Sequence, residues 1–83
     1  MSFRVHVQVM PRAGLLDPQG QAVETALHAL GFGGAAEVRI GRSITFELRA
    51  ASAEDASAKA RQMCDKLLAN PVTEDFELRV EEA

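Results

Sequence analysis

At 83 residues the chain is long enough for one small domain with a single core, and a two-domain organisation is excluded. With 47% hydrophobic and 25% charged residues the composition is globular, and because Trp and Tyr are absent the core must come from Val, Leu, Ile, Ala and four Phe. A net charge of -3, from nine basic and twelve acidic residues, argues against a general nucleic-acid surface, and no apolar run approaches the roughly 20 residues of a membrane span.

Phe3, Val5, Val7 and Val9 alternate with Arg4, His6 and Gln8, the period-two pattern of a strand with one buried face. Met1-Ser2-Phe3-Arg4 runs directly into this alternation and has no signal-peptide core, so the expectation is a cytoplasmic domain. Ala22, Val23, Ala26, Leu27 and Leu30 then recur at helical spacing, predicting a helix over about Pro18 to Leu30 that stops at Gly31. Val38 and Ile40 against Glu37 and Arg39 predict a second strand. Gly41-Arg42-Ser43 would turn it into a third, in which Ile44, Phe46 and Leu48 alternate with Thr45, Glu47 and Arg49. Ser52 and Asp55 form a capping box for a second helix, whose stripe is Ala53, Ala56, Ala60, Met63, Cys64 and Leu67 and which ends at Asn70-Pro71. Phe76, Leu78 and Val80 alternate in a last strand. The order β-α-β-β-α-β predicts an α+β two-layer sandwich, a single domain over residues 1–83, with both helices on one face of an antiparallel sheet. Its other face would carry Arg4, His6, Gln8, Glu37, Arg39, Thr45, Glu47, Arg49, Glu77 and Arg79. That mixed-charge surface is suited to cross-strand pairs or to self-association.

Few side chains here suit catalysis. His6 and His28 fall on different elements without ligand spacing, and Cys64, the one cysteine, lies on a helix stripe as a small core residue with no disulfide partner. Gly31-Phe32-Gly33-Gly34 follows a helix and lacks the Gly-Lys-Ser/Thr of a phosphate loop. Glu74-Asp75 and Glu81-Glu82 lack the spacing of a metal loop and read as surface charge. No catalytic and no metal-binding residue is expected.

Two segments exceed what turns require. In the first, Arg12, Gly14, Leu15, Leu16, Asp17, Pro18, Gln19 and Gly20 precede and open the first helix. Asp17 as N-cap and Pro18 at the first helical position explain the helix start, but not the two leucines, the arginine and the second glycine around it. The excess fits a contact surface. The second, Arg39, Gly41 and Arg42 around Ile40, is a positively flanked turn suited to an acidic partner surface or a phosphate.

The block Pro11–Gly20, the segment Val38-Arg39-Ile40-Gly41-Arg42 and the run from Met63 to Phe76 together resemble the PurS family, the small subunits of phosphoribosylformylglycinamidine synthase. The resemblance extends over almost the whole chain. Arg12 and Arg42 stand where that family leads one to expect lysine, which keeps the charge and changes a point-like donor into a fork. It implies a non-catalytic assembly subunit of a glutamine-dependent, ATP-consuming ligase of de novo purine biosynthesis. Such a subunit bridges a glutaminase subunit and a synthetase subunit, supports ammonia transfer between them, and associates with itself as a dimer or tetramer. No cofactor would be bound by this chain, ATP and magnesium belonging to the assembled complex. The two segments above would then bind partners. Read from the residues alone, a stand-alone small-ligand regulatory domain is the alternative, because this fold class serves both roles.

Overall fold

A computed structural model describes residues 1–83. The elements are strand β1 (Ser2–Pro11), helix α1 (Pro18–Ala29), strand β2 (Arg42–Arg49), helix α2 (Ala53–Met63) with a π-helical turn at Cys64–Leu68, and strand β3 (Glu74–Glu82). The sheet is antiparallel in the order β2-β1-β3. β1 is central, so its apolar face is the one most completely covered: Phe3, Val5, Val7 and Val9 are all 1% exposed or less. Val5 lies opposite Phe46 and Val80, and Val7 opposite Ile44 and Leu78, which puts three strands' apolar residues on one face.

α2 covers that face. Ser52 Oγ accepts the Asp55 amide at 3.1 Å, and the Asp55 carboxylate accepts the Ala51 amide at 3.0 Å, one residue earlier than a standard capping box. Ala56, Ala60 and Cys64 form the buried stripe, their small size letting the helix lie close to the strands. The stripe predicted Leu67 as its next member. The wider turn closed by Ala69 N–H to Cys64 O at 3.0 Å instead rotates Leu67 outward, where it is 81% exposed, and turns Leu68 toward the core.

The α+β class and the antiparallel sheet are as expected, while two details of the sheet need correction. The stretch Glu37–Ile40 is not a strand, so the sheet has three strands and the chain order is β-α-β-α-β. Glu37 takes φ +54°, which breaks an extended run, and the amides of Val38 and Ile40 are taken by the carboxylates of Glu24 on α1 and of its cap Asp17 instead of by a neighbouring strand. Nor do both helices lie on the sheet. α2 packs over β3 and β1, whereas α1 has no comparable contact with any strand and extends outward with the segment that returns to β2. The molecule measures 50 × 26 × 14 Å, with a radius of gyration of 16.2 Å where a compact chain of this length has about 12 Å.

The outward sheet face is polar, as expected. Arg4 pairs with Glu47 directly across β1 and β2 at 3.0 Å, and His6 bonds Glu81 at 2.8 Å. Glu37 and Arg39, expected on this face, sit outside the sheet because their segment does.

The close approach of α2 to the sheet sets a test. Ala60→Leu is expected to cost about 1–3 kcal/mol by overpacking a fully buried site. Leu67→Ala is expected to change stability by less than about 0.5 kcal/mol. Chemical denaturation of both variants reads the difference.

Candidate partner-docking site

The first candidate segment leaves β1 at Pro11 and reaches α1 through an open loop in which Gly14 has φ +85°. Asp17 caps α1: its Oδ1 accepts the Gly20 amide at 3.0 Å, with Pro18 in the first turn, where its missing N–H leaves nothing unsatisfied. Its other oxygen, Oδ2, accepts the Ile40 amide at 3.0 Å. One carboxylate thus joins the two segments singled out in the sequence. Seven residues along, on the same face of α1, Glu24 Oε1 accepts the Val38 amide at 3.0 Å. Asp17 and Glu24 therefore form a side-chain ladder for the alternate amides of residues 38 and 40, in place of a backbone ladder. At the far end of α1, His28 Nε2 meets Ala35 O at 2.6 Å and closes the return.

Gly20 makes this contact possible. A Cβ there would collide with the Val38 carbonyl oxygen and lie 2.6 Å from Asp17 Oδ2. Gly41 serves the same purpose where the segment meets β1, since a Cβ would strike the Val9 carbonyl and the Met10 sulfur. The two amides that Asp17 accepts, Gly20 first and Ile40 second, hold its carboxyl below the usual aspartate range, with Arg39 adding a smaller attraction.

Arg12 and Arg42 belong to a different cluster, at the turn before β3. Arg12 donates to Pro71 O at 2.6 Å and lies 3.2 Å from Asp75, and its backbone N–H bonds Thr73 O at 2.9 Å. Arg42 donates two bonds to Glu74, at 2.7 and 3.0 Å, and a third to Leu68 O at 2.6 Å. Glu74 in turn accepts the Asn70 amide at 2.8 Å. The Arg42 fork, then the Asn70 amide, keep the Glu74 carboxyl below the usual glutamate range, and Glu74 raises Arg42. The forked donor that replaces the expected lysine is used here for a bidentate pair. Glu74 is thus a joint between β2 and β3, where the sequence suggested plain surface charge.

The remaining members of the first segment face outward. Leu15 is 48% and Leu16 74% exposed, and Pro18 and Gln19 are exposed beside them. An open groove of about 520 Å³ runs past Gly14, Leu15, Asp17, Gln21, Glu24 and Arg39. The arrangement offers apolar anchors on a loop whose shape is set by Asp17, which suits protein contact. No group of three or more His, Cys, Asp or Glu side chains converges on a metal position, and burial pushes the Cys64 thiol up, away from reactivity. Sequence reasoning missed Glu24, for which the signal was available: it stands two helical turns after Asp17.

A pH profile and a glycine test follow. Because the Asp17 and Glu74 carboxyls lie lower in the folded chain than in the unfolded one, their stabilisation is complete above the ordinary carboxylate range and is lost as pH falls through it. Thermal midpoints should therefore drop between about pH 5 and pH 2. Asp17→Asn should lower the midpoint at pH 7 and flatten some of that drop. Gly20→Ala should destabilise by more than about 1 kcal/mol although alanine is the better helix former, because the Val38 carbonyl must move.

Comparison with known proteins shows the family. Residues 4–82 match the family model described as PurS: Phosphoribosylformylglycinamidine (FGAM) synthase. The PurS subunit of phosphoribosylformylglycinamidine synthase from Bacillus subtilis is 40% identical over 80 residues, covering 96% of this chain and 94% of that protein. Its Mycobacterium leprae counterpart is 47% identical over 73 residues, covering 88% of this chain and 89% of that protein. Among solved structures, a chain from the structure of PurLQS from Thermotoga maritima superposes with a TM-score of 0.89 at 31% identity, covering 98% of this chain and 99% of that one. Matched in sequence from Arg4 to Glu82, and in fold over nearly its whole length, the chain belongs to the PurS family of phosphoribosylformylglycinamidine synthase.

Proposed function

We propose that this chain is the small, non-catalytic assembly subunit of phosphoribosylformylglycinamidine synthase in de novo purine biosynthesis, and that it works in the cytoplasm. It bridges the glutaminase subunit, which releases ammonia from glutamine, and the ATP-dependent synthetase subunit, which forms the amidine. The observation that carries the reading is the near-complete superposition on a chain of PurLQS, a structure named for three kinds of subunit together. The chemistry of the chain is in keeping with it: the exposed leucines of the Arg12–Gly20 loop suit docking. ATP and magnesium then belong to the synthetase in the assembled complex. Joining two active sites raises the effective concentration of the transferred ammonia without any chemistry on the bridge. We propose further that the chain associates with itself, as a dimer or tetramer, and that Arg12, Gly14, Leu15, Leu16, Asp17, Pro18, Gln19, Gly20, Arg39, Gly41 and Arg42 form or shape its docking surface. Asp17, Gly20 and Gly41 contribute by fixing the loop, and Leu15, Leu16 and Gln19 by direct contact.

Added to the synthetase and glutaminase subunits, the chain is expected to increase glutamine-dependent turnover, while alone it neither hydrolyses glutamine nor consumes ATP. Robust turnover by the purified chain alone would overturn the reading. Leu16→Asp with Gln19→Ala is expected to keep the thermal midpoint and to weaken partner binding by about tenfold or more, read by calorimetric titration. Unchanged binding would remove the loop from the interface.

A further inference from the structure

The π-helical turn at the end of α2 displays a leucine that the helix pattern assigns to the core. With that turn closed by Ala69 N–H to Cys64 O, Leu67 leaves the buried stripe and stands 81% exposed, while Leu68 takes the place on the core. Turns of this kind interrupt the regular helical ladder and recur at functional sites. Val72, in the turn before β3, is 74% exposed, although its own amide is satisfied by Asn70 Oδ1 at 3.0 Å. The fold needs neither side chain in the water. Both stand at the end of the sheet where β1 finishes and β2 and β3 begin, the end that also carries the Leu15–Leu16 loop. Arg12 ties the two together. Its side chain donates to Pro71 O and its backbone N–H to Thr73 O, on either side of Val72, while its carbonyl accepts the Leu15 amide at 3.2 Å.

On the assembly reading above, a bridge between two catalytic subunits has to hold two surfaces at once, and the Arg12–Gly20 loop supplies one. We propose that Leu67 and Val72 are the anchors of the second, and that its occupant is the catalytic subunit that the Leu15–Leu16 loop does not hold, met through an apolar, uncharged face. Charge selects that kind of face. Around the patch Arg12 is matched by Asp75 and Arg42 by the fork to Glu74, Asp65 stands next to Lys66, and Arg61 lies over the Phe76 ring, 5.8 Å from its centre. With its charges balanced inside the chain, the patch calls for apolar contact rather than for a partner of one sign. Two pairs of exposed aliphatic side chains, joined through Arg12, would hold the two catalytic subunits in a fixed relation. A single mobile attachment raises effective concentration, but only a fixed relation also aligns the two active sites.

The test titrates the synthetase and the glutaminase separately, by calorimetry, with three full-length chains: wild type, Leu16→Asp with Gln19→Ala, and Leu67→Asp with Val72→Asp. Leu67 and Val72 are exposed, so the last variant should keep the wild-type thermal midpoint; should its midpoint fall, Leu67→Ala with Val72→Ala takes its place. The Leu67/Val72 variant is expected to lose about tenfold or more in affinity for one catalytic subunit only, and the loop variant to lose as much for the other. Wild-type affinity for the subunit held at Leu67 and Val72 should change by less than about twofold between about 0.05 and 0.5 M salt. No weakening by the Leu67/Val72 variant, or weakening of the same subunit by both variants, overturns the proposal, as does a steep fall of that affinity with salt. A Leu67/Val72 variant that keeps both subunits but changes the mass of the isolated chain in light scattering makes a second copy the occupant, and overturns it too. A wild-type chain that binds neither subunit overturns the assembly reading itself, a result distinct from all of these.

Discussion

The rest of the molecule depends on how one carboxylate divides its two oxygens. Asp17 gives one to the first turn of α1 and the other to Ile40, 23 residues away. The first bond starts a helix, as an N-cap does in many proteins. The second removes residues 38–40 from the competition for a sheet edge, because an amide donated to a carboxylate is no longer free to join a backbone ladder. Glu24 repeats the capture at Val38. From these bonds come the absence of a fourth strand, the position of α1 away from the sheet, and the fixed shape of the loop bearing Leu15 and Leu16.

Much of this was legible in the residues, for reasons that differ by element. β1 and β3 were readable because each buries one face only, so polarity alternates with the pleat. α2 was readable from its cap and its small-residue stripe, up to the point where a π-helical turn shifted the phase and turned Leu67 to the outside. Glu37–Ile40 has the alternation of a strand and is none, since periodicity reports which side chains could share a face and says nothing of where the amides go. The placement of α1 was also beyond reach. An apolar stripe records that a helix has something to cover, and does not record which surface that is. At the site, the loop and the Gly41 turn were both visible as excess over turn chemistry. Their connection through Asp17, and the diversion of Arg12 and Arg42 to the turn before β3, depend on tertiary contacts between residues far apart in the chain.

The two arginines illustrate how charge is used here. Both were candidates for contact with a partner, and both make hydrogen bonds within the chain that tie the end of β1, and the start of β2, to the segment ahead of β3. Their side chains are still about half exposed, so on the proposed docking surface they would present charge at its rim. Rim charges of this kind steer association more than they hold it, and on that proposal the apolar anchors would carry the affinity. The division fits an assembly subunit: a rigid, small scaffold that displays apolar contacts in fixed positions, with the reacting groups supplied by its partners.

If this chain acts by assembly, in more than one copy, between a synthetase and a glutaminase, its effect must be visible in the mass of the native complex. Intact-mass measurement of the particle formed from the three chains at defined stoichiometry addresses this most directly. One particle is expected, containing both catalytic subunits and at least two copies of this chain, and separating into free catalytic subunits when the chain is omitted. A complex of synthetase and glutaminase that forms equally well without it, or that holds this chain as a dispensable single copy, would contradict the assembly role.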